Sequence, residues 1–384
     1  MRIRSFGLAV ITVSSLVSGQ AFAETQAPAA DPTVTVVASN LDNPRGLAWS
    51  RGHLYVAEAG KGGTDCPAGV TGPAGGPLCL GRTGSLAVIH DGMAIPVLTD
   101  LISESDIPGG LAAEGVAAVA TAERGDLRVL FGLSVAGFAK DLPNGSTITD
   151  EDATALGSQL GMLKRVEDGS TDLVSNVGDQ DFLWTQLHKN LVPDQFPDSN
   201  PNALAIVGDT TYVANAGSNT LDTLDRHGVV TDRTFFPNPP HADAVPTCVA
   251  VGPDGNLYIG QLAPGAPLGG GNVYRYEIAS RTLSVWKTGF NVVDGCGFDK
   301  RGNFYAVELQ AHGFNPGPTG NPAGDVVKIT PAGTRSVLGA GKLFFPQGFA
   351  TDREGNIYVS NWSIMTGTPA GPGAPTGQVV RITQ

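Results

Sequence analysis

Charge is scarce in this chain and uneven in sign. Only 16% of its 384 residues are charged, and 24 lysines and arginines face 36 aspartates and glutamates, a net charge of −12. That balance argues against nucleic acid or an anionic membrane as a partner, since both need a basic surface. Past the first residues, no stretch approaches the ~20 uninterrupted apolar residues of a membrane span. Helical periodicity is sparse throughout. The six histidines do not cluster, and cysteine is limited to four. There is no Gly-x-Ser-x-Gly elbow, no His-Glu-x-x-His and no phosphate loop. Nucleotide, flavin and heme-attachment motifs are missing too, so the chain announces no redox cofactor.

What is there begins with an address. Arg2 and Arg4 precede an apolar stretch from Phe6 to Val17, and Ala21-Phe22-Ala23 closes it with the small–x–small pattern a signal peptidase needs. Residues 1–23 therefore read as a signal peptide, 24–32 as a short linker and 33–384 as the working domain, secreted or periplasmic. Without Arg2 and Arg4, 22 basic residues face 36 acidic ones, a net charge of −14.

A chain this long usually holds two or three domains, yet its repeats argue for one closed array. Six times a short apolar strand, a tight turn and a second strand recur: residues 44–48 with 54–56, 113–117 with 127–129, 201–205 with 212–213, 246–250 with 257–259, 293–297 with 304–305 and 346–350 with 357–359. Gly255-Asn256, Gly302-Asn303 and Gly355-Asn356 sit in the turns, where a glycine supplies the positive φ a hairpin demands. A second hairpin follows in each unit, as in 326–329 turning into 335–338. Four short antiparallel strands per repeat are the signature of a propeller blade, and the fold class is all-β, a six-bladed β-propeller. The last unit stops after three strands, at 378–382, so strand 33–38 from the N-terminus is expected to supply the fourth and close the ring. A solenoid of stacked hairpins would need capping ends, and none is seen. Two stretches, 149–164 and 179–191, break the pattern and read as short inserted helices.

In a propeller the innermost strand starts on the top face. The bottom turns here are tight, whereas the top connections 58–84, 132–157, 262–271, 309–324 and 362–377 are long and rich in Gly and Pro. Long loops on a rigid scaffold are where binding concentrates, so function is expected on the top face. Aligning the units yields two polar rings there. Arg45, Glu114, Asn202, Thr247, Asp294 and Gln347 open the innermost strands at the channel mouth. Glu58, Gly132, Asn215, Gln261, Glu308 and Asn361 end the second strands, where the alternative to substrate binding is side-chain capping of the loop backbone. From the first ring Glu114, Asn202 and Asp294 offer hard oxygen ligands of the kind Ca²⁺ takes. Arg45, Thr247, Gln347, Glu58, Glu308 and Asn361 are the candidate substrate contacts.

Four cysteines in an exported chain imply two disulfides with three pairings. Cys66 and Cys79 share one Gly/Pro-rich loop. Cys248 and Cys296 lie on adjacent innermost strands one register position apart, and the alternation of side chains across a sheet aims them at each other. Pairings Cys66–Cys79 and Cys248–Cys296 are expected, with no catalytic thiol. His53, His90 and His227 fall near bottom turns. His188, His241 and His312 fall in top loops, where a general base would have to stand.

Five stretches taken together are familiar: residues 41–48, 54–60, the loop with Cys66 and Cys79, Asp198-Ser199-Asn200-Pro201-Asn202, and Tyr358-Val359-Ser360-Asn361-Trp362. The chain resembles the ScyD/ScyE family of exported propeller proteins from about Val34 to its end, a family that brings no catalytic residues to carry over. Ala113-Glu114-Gly115, Pro201-Asn202-Ala203 and Val293-Asp294-Gly295-Cys296 also resemble motifs of gluconolactonase and paraoxonase-type propellers, with Ala203 where a glycine is usual. That resemblance implies a divalent ion on Glu114, Asn202 and Asp294.

Two functions follow. One is metal-assisted hydrolysis of a lactone or ester, with Ca²⁺ polarising the carbonyl and His241, His312, His188 or a bound water delivering hydroxide. The other is a non-catalytic module that grips a small molecule, a glycan or another protein. Oxidative coupling of aromatic monomers, borrowed from scytonemin clusters, finds no redox motif to support it.

Overall fold

Six antiparallel sheets stand around one axis, each built from one repeat. The computed structural model describes residues 32–72, 75–106, 110–122, 125–189, 191, 197–237, 243–314, 321–364 and 376–383. The expected signal peptide and all of its linker but Pro32 lie outside these residues.

Blade 1 runs Pro44–Ser50, His53–Glu58, Leu78–His90 and Met93–Asp106. Blade 2 runs Val116–Thr121, Leu127–Phe131, Met162–Glu167 and Ser170–Asn176. Blade 3 runs Pro201–Val207, Thr210–Asn215, Thr220–Leu224 and Val230–Phe235. Blade 4 runs Pro246–Val251, Leu257–Gln261, Gly271–Glu277 and Thr282–Phe290, and blade 5 runs Val292–Phe298, Phe304–Gln310, Ala323–Ile329 and Arg335–Phe344. Blade 6 has Phe349–Thr351, Ile357–Asn361 and Gly377–Thr383, and takes its outer strand, Thr33–Leu41, from the N-terminus. Val34 pairs with Ile382 and Val36 with Val380, so the ring closes with both ends of the domain in one sheet.

Each innermost strand packs on the next around the ring, and the side chains between neighbouring blades form one apolar cluster per junction. Between blades 1 and 2, for example, Leu86 and Leu98 meet Val119, Val129 and Phe131. Faces buried on both sides explain why the strands read as apolar runs rather than alternations. Cys248 and Cys296 are bonded across blades 4 and 5, and Cys66 is bonded to Cys79, as expected. The bottom turns of blades 5 and 6 share one lock. Asp299 Oδ2 accepts from Asn303 Nδ2 (2.6 Å) and Tyr305 Oη (2.9 Å), and Asp352 does the same for Asn356 (2.7 Å) and Tyr358 (3.0 Å). Burial would push these carboxyls up, but the donated hydrogen bonds win and hold both below the usual range.

The insertions differ from the expectation in extent. Helix α1 (Val135–Asp141), capped by Ser134 accepting from Gly137 N–H, was not foreseen because its seven residues show no amphipathic repeat. Helix α2 (Asp150–Gln159) starts at the expected Thr149 cap but stops at Leu160, since Met162–Glu167 must serve as the third strand of blade 2. Helix α3 (Val177–Leu187) begins two residues earlier than expected, capped by Asn176. The connection 58–84 is also shorter than expected: Leu78–Gly84 belongs to a long hairpin with Met93–Asp106 that rises on the top side of blade 1.

Candidate active site at the channel mouth

The first polar ring assembles because four innermost strands bulge at the same height. Pairing skips two residues between Pro44 and Leu47, and one between Pro201 and Ala203, Pro246 and Cys248, and Val293 and Gly295. The residues released are Arg45, Asn202, Thr247 and Asp294, and a bulge is the device that re-aims a side chain out of the pleat. Glycine follows Arg45, Glu114, Asp294 and Gln347 for a steric reason. A Cβ on Gly295 would stand 1.9 Å from Gln347 O, and one on Gly348 would stand 2.1 Å from Arg45 O.

Arg45 is buried at the centre of this ring. Its Nη1 donates to Gln347 Oε1 (2.8 Å), its Nη2 donates to Ala113 O, and Nη2 lies 3.8 Å from Glu114 Oε1. Asn202 Nδ2 donates to Thr247 O (2.7 Å), and Thr247 Oγ1 donates to Val293 O (2.5 Å). Two ring atoms, Asp294 Oδ1 and Arg45 Nε, are buried without a hydrogen-bond partner. Burial raises Asp294 to about 7, opposed by the Arg45 charge and by the Gln347 and Asn202 side chains, with Glu114 adding to the rise. Glu114 is raised by burial as well, against the pull of Arg45 and a hydrogen bond with Asn200. Glu114 itself ends a short strand, Leu111–Glu114, that pairs with Glu104 of blade 1 before the chain turns at Gly115 into blade 2.

These donors were expected to hold Ca²⁺, and their hard oxygens suit it. The Arg45 guanidinium competes for the same place. Asn202 commits only its amide nitrogen inside the ring, which leaves its oxygen to a ligand, but Arg45 already brings a positive charge to both carboxyls. One buried and one partly buried carboxyl balance one guanidinium with a single proton, whereas a divalent ion would leave surplus positive charge beside Arg45.

The second ring holds the loops. Glu58 Oε2 accepts from Asp42 N–H (2.8 Å), Asn215 Oδ1 from Asn200 N–H (2.8 Å), Glu308 Oε1 from Asn291 N–H (3.0 Å) and Asn361 Oδ1 from Phe344 N–H (2.7 Å). The same latch thus ties the end of the second strand to the approach of the innermost strand. Of the candidate substrate contacts, Glu58, Glu308 and Asn361 are buried in these latches, while Arg45, Thr247 and Gln347 share the channel mouth. In blade 4 Asn219 takes the latch on Val245 N–H (2.7 Å), and both polar atoms of the buried Gln261 amide lack a partner.

None of the three histidines is brought to the ring by a described contact. His188 is exposed and stacks on Trp184 at 4.4 Å, His312 is exposed, and His241 lies outside the described residues.

A side pocket of about 300 Å³ adjoins the mouth, between the Cys66–Cys79 loop, α1 and α3. Glu104 lies in its wall and was missed in the sequence, where it looks like any strand residue. It is buried, its Oε2 has no partner, and burial, then Glu114, Asp106 and Asp141, push it up to about 8. A larger hollow of about 710 Å³ lies at the bottom face, but Asp299 and Asp352 in its wall are committed to their turns.

The raised acids set the sign of the pH dependence. Unfolded Glu and Asp titrate near about 4.3 and 3.9, so the native state binds more protons between those values and about 7 for Asp294 and 8 for Glu104. Their stabilising contribution is complete below pH 4 and is lost as pH rises through 7 and 8. Melting temperature should therefore fall from pH 5 to pH 9, and Glu104→Gln should remove the upper part of that fall. A wild-type curve rising across this window would contradict the buried-acid assignment.

Among solved structures the chain is similar to a gluconolactonase from Xanthomonas campestris, with a TM-score of 0.50 at 11% identity, covering 92% of this chain and 90% of that one. It is equally similar to the PQQ-bound aldose sugar dehydrogenase from Streptomyces coelicolor, with a TM-score of 0.50 at 12% identity over 93% and 100% of the two chains. At such identities the likeness concerns the propeller fold alone. No family model matches the chain, and no curated protein matches it in sequence.

Proposed function

We propose that this chain is an exported propeller of the ScyD/ScyE type whose channel mouth binds a small polar molecule and hydrolyses a lactone or ester bond in it. Export is supported by the two disulfides, and among the described residues no helix is long and apolar enough to cross a membrane. The observation that carries the site is the unpartnered Asp294 Oδ1 beside the buried Arg45 guanidinium, on a ring that five other blade residues complete.

Asp294 in its carboxylate form takes a proton from water, whose oxygen attacks the substrate carbonyl carbon. Arg45 stabilises the oxyanion as it forms, and a guanidinium shielded from solvent is strong in that role. The carbonyl re-forms as the carbon–oxygen bond breaks, and Asp294 returns its proton to the departing oxygen. The working base titrates near pH 7, in keeping with the value to which burial brings Asp294. In this reading the guanidinium does what a divalent ion does in a metal-assisted hydrolase.

A non-catalytic binding module is the second reading, favoured by the lack of any described histidine at the mouth. Hydrolysis of glucono-1,5-lactone, a γ-lactone and 4-nitrophenyl acetate, followed from pH 5 to 9 with and without chelator, separates the two. The expected result is chelator-resistant turnover rising through pH 7 and lost in Asp294→Asn. Binding by calorimetry without turnover leaves the binding module. Chelator-sensitive turnover restored by calcium would overturn the metal-free reading.

A further inference from the structure

The side pocket combines features that the channel mouth does not use. Carboxyl groups of Glu104, Asp141 and Asp198 belong to its wall, against one ammonium, that of Lys140. Glu104 Oε2 is buried without a hydrogen-bond partner, a state that a ligand donor would relieve. Phe138 and Phe182 are the aromatic residues of the wall, one from α1 and one from α3. Lys140 Nζ stands 5.9 Å from the Phe182 ring centroid and 3.8 Å from Asp141 Oδ1, so a cation on a tether already occupies an aromatic seat at the rim. That side chain is about half exposed, and besides Asp141 and the ring only the charge of Asp198 acts on it among the described contacts, so it can swing away. An anion would meet three carboxyl groups here. An uncharged ligand would satisfy the Glu104 oxygen but leave the excess negative charge.

We propose that this pocket binds an arylalkyl ammonium ion, with its N–H groups on Glu104 and its ring against Phe138 and Phe182. Cation, donor and ring each meet a matching feature, and about 300 Å³ is room for one ring with a short arm. The pocket stands independently of the hydrolytic reading, which rests on Asp294 and Arg45.

Isothermal titration calorimetry of the full domain with phenethylamine, phenethyl alcohol and phenylacetate tests it, at low salt and at pH 9, where Glu104 is ionised and the amine still carries its charge. Phenethylamine should bind at least tenfold more tightly than the alcohol, and phenylacetate should give no heat. Glu104→Gln should remove the advantage of the amine, Lys140→Ala should raise amine affinity severalfold, and Asp294→Asn should change nothing. Should Glu104→Gln not fold, Phe138→Leu must weaken the amine. Equal binding of amine and alcohol, preference for phenylacetate, or an undiminished amine in Glu104→Gln or Phe138→Leu would overturn the proposal. Loss of amine binding in Asp294→Asn would move the seat to the channel mouth and overturn it equally.

Discussion

Replacing Arg45 with methionine should destabilise the propeller by about 3–5 kcal/mol, the scale for removing one partner of a buried charge group. Methionine keeps the length and the apolar stem but leaves partly buried Glu114 and buried Asp294 together without their counter-charge. The loss should be larger at pH 8 than at pH 5, because protonating the two acids relieves their repulsion. Calcium is the sharper reading of the same variant. Wild-type melting should be indifferent to calcium and chelator, since the guanidinium holds the central position. In Arg45→Met calcium should raise the melting temperature by the amount that RT ln(1 + [L]/Kd) dictates. A wild-type protein that melts higher with calcium would restore the metal site expected from Glu114, Asn202 and Asp294.

Deleting Thr33–Leu41 should abolish the folded monomer altogether. The strand pairs along the whole of Gly377–Thr383, and its Ala38 and Leu41 complete the cluster between blades 6 and 1 with Leu47, Val56 and Tyr358. Without it, blade 6 keeps three strands, an open edge and exposed apolar surface, the combination that invites aggregation. Two point variants make the test specific. Leu41→Asp, at a buried position, should mimic the deletion, and Val36→Asp, at a half-exposed one, should not. Circular dichroism melting and size-exclusion chromatography read both. A truncated chain that melts cooperatively at the wild-type temperature would show that closure is not what holds the ring.

The architecture was legible because propeller blades are local. Turn glycines and apolar strands recur within each repeat, with Asp and Asn locks in the last three, so spacing alone identified six blades, the closing strand and the Cys248–Cys296 pairing. The Asp299–Asn303–Tyr305 lock, for instance, is complete within seven residues. The channel ring was legible for the same reason, as one position repeated six times. What the ring does was not. Whether Arg45 faces Asp294 depends on bulges in separate strands and on the approach of one blade to the next, where Gly295 lies against Gln347. The second ring looked like a set of ligand contacts and became a set of latches. A polar residue at a strand end reads the same in sequence whether its oxygen meets a ligand or the N–H of Asn291.

By itself, then, the order of residues determined the repeat, its period and its chemistry of turns, because hairpins close over a few residues and their hydrogen bonds have near neighbours for partners. Tertiary structure alone decided the charge state of the top face. Glu104 in its strand is an ordinary glutamate until the hairpin Leu78–His90 and Met93–Asp106 rises, α1 and α3 close over it, and Glu114 is laid alongside. Burial and neighbouring charge, which exist only once distant segments meet, turned it into an acid that keeps its proton at neutral pH.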